Sequence, residues 1–303
     1  MKNTNSLKER IGKGGVGMMF GLLGVMGFAL TLPATKVVVQ YVDPVFAGLG
    51  RICGAGIVAT ILLAVFRQPS PDKRQFFQLA VVAMGVVIGF PILSSLAMSG
   101  MNAAHGGVVV GIVPLVTAAA GAFVSGERPS AAFWATSAVG SAIVLAFVLP
   151  GGGFSLSLSD AYLLGAILSV GIGYAVGGNL AKKLGGWQVI CWALVMTMPF
   201  ALAPTLYMAG KNLSALPASG WGAFFYLILV SQLLAFFAWY KGMSIGGIAR
   251  VSQMQLLQPF LTITASVMML GEKPERNTML FALLIVSTVA ISKRTAIAPV
   301  AKS

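Results

Sequence analysis

An internal duplication constrains this chain more than any other feature: the stretch from Ala104 to Pro129 recurs, without a gap, 145 residues later. Ala104 pairs with Ala249, Pro114 with Pro259 and Thr117 with Thr262, and upstream Met98-Ser99 pairs with Met243-Ser244. Gly126-Glu127-Arg128-Pro129 pairs with Gly271-Glu272-Lys273-Pro274. Each copy is an apolar run with a proline in its middle, stopped by a Gly-acid-base-Pro turn that opens another run. So many matches at one offset indicate a duplicated unit rather than a chance motif.

The apolar runs decide the solvent. Hydrophobic residues make up 57% of the chain, charged residues only 9%, and the mean hydropathy is +0.91. That little charge cannot coat a soluble protein of this size, and runs of about 20 residues are long enough to cross ~30 Å of hydrocarbon as helix. The short alternating segments of an outer-membrane barrel are not seen. A net charge of +13 could suggest nucleic acid, but the basic residues sit in the tail and between the runs, where they orient a membrane protein. Cys53 and Cys191 lie inside apolar runs and read as packing residues rather than a disulfide. The apolar part of the N-terminus, about 16–39, is too long for a signal-peptide core and reads as a retained first span.

Charges, prolines and glycine clusters divide the chain into ten expected transmembrane helices at about 16–39, 45–66, 76–98, 104–125, 130–149, 160–181, 187–209, 219–240, 247–270 and 276–292. The linker Gly151-Gly152-Gly153-Phe154-Ser155 separates two halves of five spans, 1–150 and 151–303. With the N-terminus in the cytoplasm, fifteen Lys and Arg fall on the inner side and five, Lys36, Arg51, Lys211, Lys273 and Arg276, on the outer. The bias places both termini in the cytoplasm. Five is odd, so the second half enters the membrane from the other side. The fold expected is therefore all-α and integral to the membrane, ten helices in two inverted five-helix repeats. Such halves can exchange conformations and open a central cavity to alternate sides, as secondary transporters do.

The pattern Met98-Ser99, Ala103-Ala104, Pro114-Leu115, Gly126-Glu127-Arg128-Pro129, with its second copy ending Gln258-Pro259 and Gly271-Glu272-Lys273-Pro274, resembles the EamA-type repeat. That repeat belongs to the ten-helix branch of the drug/metabolite transporter superfamily. The resemblance covers nearly the whole chain. It implies an inner-membrane carrier, usually an exporter of amino acids or other small metabolites, with a cavity lined by the first, third and fourth helices of each half.

Candidate substrate-path residues are the polar groups at depth. In the ninth run Ser252, Gln255, Pro259, Thr262 and Ser266 fall within about 80° of one another at 100° per residue. Such a stripe faces protein or water, not lipid. It can line a cavity, with the proline freeing carbonyls for a ligand, or it can glue helices together. In the fourth run only Thr117 reads as a contact, the small residues around Pro114 reading as packing. Ser94 and Ser95, Tyr174, and Gln232 with Ser231 complete the set. The five tryptophans read as interfacial anchors.

All seven acidic residues lie in tails, loops or span ends, so no buried carboxylate relay is expected. Glu127 and Glu272, each between a helix-ending glycine and a helix-starting proline, read as structural turns along with Pro114 and Pro259. His105, the single histidine, is the candidate titrating group near neutral pH. Gly12-Lys13-Gly14-Gly15-Val16-Gly17 lacks the closing residues and preceding strand of a phosphate loop. No metal-ligand spacing or Ser-His-Asp arrangement stands out, so neither cofactor nor metal is expected. The reading is a non-enzymatic carrier of small, neutral or zwitterionic metabolites, coupled to protons or driven by the gradient alone. A channel, or a non-transport membrane protein, is the competing class.

Overall fold

The computed structural model describes residues 2–125, 131–148 and 157–294, with the side chains of the first helix from Gly15 onward. Among the described residues there are helices and no strands. The first rod is α1 (Lys2–Ala29) and α2 (Thr31–Val39), broken at Leu30. α3 (Pro44–Val65) follows, then α4 (Lys73–Val82) and α5 (Phe90–Gly100), joined by a π-helical turn at Ala83–Gly89. α6 (Ala103–Val110) and α7 (Val113–Ser125) form a fourth rod broken before Pro114, and α8 (Ala131–Val148) a fifth.

The second half repeats this order. α9 (Leu158–Leu184) and α10 (Gly186–Ser214) are continuous. α11 (Ala218–Phe225) and α12 (Ala235–Gly246) are joined by a π-helical turn at Tyr226–Leu234. α13 (Ile248–Val251) and α14 (Gln258–Leu270) flank a 3₁₀ segment, Ser252–Leu257, and α15 (Arg276–Arg294) ends the described chain. Both third rods thus carry a wide turn, and both fourth rods break just ahead of their proline. Among the described residues seven rods are long and apolar enough to cross a membrane, while Met254–Leu270 and Arg276–Thr288 are shorter apolar helices.

Local chemistry sets the helix ends. Asp43 accepts hydrogen bonds from the backbone of Val45 and Phe46, with Pro44 at the first helical position of α3. Asp72 and Gln75 form a reciprocal capping box on α4. α14 ends at Gly271, whose φ of 64° is a left-handed stop that glycine adopts without strain.

Packing crosses between the halves. α1 lies on α12 so closely that a Cβ on Gly17 would sit 2.5 Å from the Gly246 Cα, and one on Gly24 would reach Trp239. The π turn and α5 lie the same way on α9, Gly85 meeting Ser169 and Gly173, and Gly100 meeting Ser159. The residue numbers run in opposite directions in each pair, so the helices are antiparallel. The two crossings run in the same order but not in the same register: a Cβ on Gly27 would meet Ala235 at 2.7 Å and Val230 only at 3.7 Å, whereas one on Gly173 would meet Val86 at 2.5 Å, and Val86 corresponds to Ser231 rather than Ala235. Glycine permits this backbone approach, which drives helix association in lipid where apolar burial does not. Large side chains such as Phe77, Phe200, Tyr207 and Met268 point outward.

Candidate functional site

The polar centre is built on α3. Arg51, its eighth residue, is only 1% exposed. Its Nε donates to Gln232 Oε1 at 2.9 Å and its Nη2 to Ser231 Oγ at 3.3 Å. Ser231 and Gln232 are sequence neighbours that an α-helix would splay around its axis. They sit in the π-helical turn, whose wider winding narrows the angle between them so that both meet one guanidinium. Ser231 also shares a hydrogen bond with Thr31 Oγ1 at 2.8 Å, which ties the centre to the start of α2. Thr35 donates to the Thr31 carbonyl. Within this centre two donors have no partner among the described residues, Arg51 Nη1 and Gln232 Nε2.

This corrects the placement of Arg51 on the outer side. A tally of loop charges assigns each cation to the nearer end of its span. The helix instead carries Arg51 two turns in, against the partner helix that supplies its acceptors.

The first and ninth rods meet at their breaks. Pro33 has no N–H to give the Ala29 carbonyl, and that carbonyl accepts the Thr262 hydroxyl at 2.7 Å. Tyr226 Oη donates to the Gly27 carbonyl at 2.7 Å. Ser252, Gln255, Pro259, Thr262 and Ser266 are all buried. Gln258, which the 100° wheel leaves off that stripe, is buried too, because the 3₁₀ turn before it rotates the register. The side-chain oxygens of Gln255 and Gln258 have no partner among the described residues, and neither does Thr117 Oγ1.

The other expected positions are less available. Ser94 and Ser95 both donate to the Pro91 carbonyl within their own helix. The Tyr174 ring is packed against Phe28, Phe236 and Trp239. Trp239 is itself fully buried there and is no interfacial anchor. Pro114 lies beside the Gly111–Ile112 break, and Pro259 follows the 3₁₀ segment. Glu127 and its turn lie outside the described residues.

At one end of the bundle three helix termini are tied together. His105 Nε2 is 2.8 Å from Asp160 Oδ1, and its ring stacks on Phe147 at 4.5 Å. Asp160 also takes a hydrogen bond from Ser157, which caps α9. The two Glu272 oxygens accept from the backbone N–H groups of Ala103 and Ala104, each at 2.8 Å, so this carboxylate caps α6 from another chain segment. Lys36 Nζ donates to the Met98 carbonyl near the end of α5. A cavity of about 460 Å³ opens here between His105, Phe147, Glu272 and Asn277. No cluster of three or more His, Cys, Asp or Glu able to hold a metal occurs among the described residues.

Arg51, Thr31, Tyr226 and Asp160 were not picked out as site residues by sequence. For Arg51 the signal was present, a lone cation inside a long apolar run that begins at Pro44.

The chain matches the EamA-like transporter family twice, over residues 15–149 and 157–293. It is 42% identical to the "Uncharacterized transporter YdeK" of Bacillus subtilis, over 92% of this chain and 97% of that one. It is 22% identical to a "Probable terminal-alkyne amino-acid exporter" of Streptantibioticus cattleyicolor, over 90% of this chain and 92% of that one. A solved crystal structure, 19% identical, superposes with a TM-score of 0.62 over 91% of this chain and 97% of that chain, which indicates a shared fold.

Proposed function

This chain belongs to the EamA-like transporter family, and from that premise we propose that it is a secondary carrier moving small polar metabolites, amino acids above all, outward across the inner membrane by alternating access. The observation that carries the reading is the crosswise packing of the halves. The first rod of each lies on the third rod of the other, so the halves 1–150 and 151–303 can trade arrangements about one centre. Inverted repeats of five spans account for that crosswise pairing. The breaks of the fourth and ninth rods meet at Gly111 and Pro259, and those of the first and ninth at Ala29 and Thr262; within a bilayer irregular backbone is tolerated only inside protein or beside water. The amino-acid assignment draws on the exporter relative.

With Arg51 buried in the bundle, the basic residues divide fifteen inside against four outside, which keeps both termini cytoplasmic. The end bearing His105, Asp160 and Glu272 is then the outer one, where the cavity beside His105 opens. Among the described residues, His105 and its partner Asp160 are the candidates for handling a coupling proton. Purified protein in proteoliposomes tests the reading. Saturable counterflow, accelerated by unlabelled amino acid on the far side, is expected. Flux that rises linearly with concentration and shows no acceleration would identify a channel instead.

A further inference from the structure

We propose that Arg51 is the anchor for a carboxylate of the transported molecule, which narrows the substrates to small carboxylates, α-amino acids included; the proposal rests on the carrier reading above. Arg51 is 1% exposed and Gln232 fully buried. No carboxylate among the described residues pairs with the guanidinium, whose protein partners are the neutral Gln232 and Ser231. A cation held inside a membrane protein without a counter-charge is one of the most costly arrangements available. Holding α3 against the π-helical turn does not require it, since a neutral side chain of similar volume would do so at lower cost.

The unpaired groups say what is missing. Arg51 Nη1 and Gln232 Nε2 are both donors, both buried, and belong to two side chains already bonded to each other. Both ask for an acceptor oxygen. The Nε and Nη2 edge of the guanidinium is already taken by Gln232 and Ser231, so an incoming carboxylate would accept from Nη1 with one oxygen, in a charge-assisted hydrogen bond, and from Gln232 Nε2 with the other. One positive charge is balanced by one carboxylate, whereas a phosphate ester dianion would leave net negative charge at this depth. With Ser231 and Gln232 on one side of the guanidinium, Nη1 is its one nitrogen without a protein acceptor among the described residues.

The test is counterflow into proteoliposomes of the wild-type protein, using a panel of α-amino acids, each beside its own amide and methyl ester. Acids should exchange with an apparent affinity about tenfold or more above their amides and esters, the scale of hydrogen bonds to a charged group. Arg51→Gln should bring the acid down to the level of its amide, and Arg51→Lys should keep the preference for the acid at reduced affinity. The wild-type comparison decides the matter even where a variant fails to fold. Counterflow that treats acids, amides and esters alike would overturn the anchor while leaving the carrier intact. Absence of saturable counterflow by every member of the panel would remove both.

Discussion

Thr262 donates its hydroxyl to the carbonyl of Ala29, 2.7 Å away on a different helix, and that carbonyl is free to accept because Pro33, four residues on, has no N–H to offer it. One proline and one threonine, far apart in the chain, complete a single hydrogen bond that the α-helix would otherwise have made by itself.

The pair can be tested as a cycle. Thr262→Val should destabilise by about 1–3 kcal/mol, because a buried carbonyl loses its donor. Pro33→Ala restores an N–H that can serve the same carbonyl. In the Pro33→Ala background, Thr262→Val should therefore cost distinctly less. Thermal unfolding in detergent measures all four proteins, and additive losses would mean that the carbonyl is satisfied in some other way.

Gln255→Leu separates binding from stability. The side-chain oxygen of Gln255 is buried with no partner among the described residues, so the folded protein loses little when it goes. A substrate contact there is worth about 0.5–1.5 kcal/mol, so apparent affinity should fall by several-fold to about tenfold with the melting temperature little changed. A large drop in melting temperature with affinity intact would assign Gln255 to helix–helix adhesion.

Glu272→Gln replaces a carboxylate that accepts two backbone N–H groups with an amide that has one accepting oxygen and presents its own donors to the second group. A loss of about 1 kcal/mol, as for other helix caps, is expected. Folded yield should fall more than the pH dependence of transport per folded molecule changes. Loss of that pH dependence at normal yield would make Glu272 a coupling group.

Orientation can be read by thiol labelling, because the native Cys53 and Cys191 are both buried and contribute little background. In intact cells a cysteine placed at the exposed Asn277 should react with an impermeant reagent, and one at the exposed Ser70 should not. The reverse pattern would invert the topology.

Helix positions were legible because lipid imposes a length and prolines mark breaks; the rod beginning at Pro44 was expected at 45–66 and ends at Val65. The break at Leu30 was less so, since Pro33 sits within a run that is apolar on both sides. Gln258 escaped the stripe because a wheel at 100° per residue assumes an unbroken α-helix, and Ser252–Leu257 is wound more tightly. Arg51 escaped for a different reason. Its depth is a local fact, but its acceptors lie 181 and 180 residues away, and no periodicity within one span reports on a neighbour that distant.

The glycine face of α1 has a consequence for how the protein is made. Gly24 and the Trp239 it packs against are 215 residues apart, whereas Gly85 and Gly173 are only 88 apart. At roughly 5–20 residues per second of synthesis, α1 waits on the order of 10–40 s in the bilayer before α12 exists to cover it. The crossing of α5 on α9 has the chance to form well before that. Assembly would then start from the middle of the chain and close on its first helix last, leaving an uncovered glycine strip that another nascent copy could occupy in the meantime.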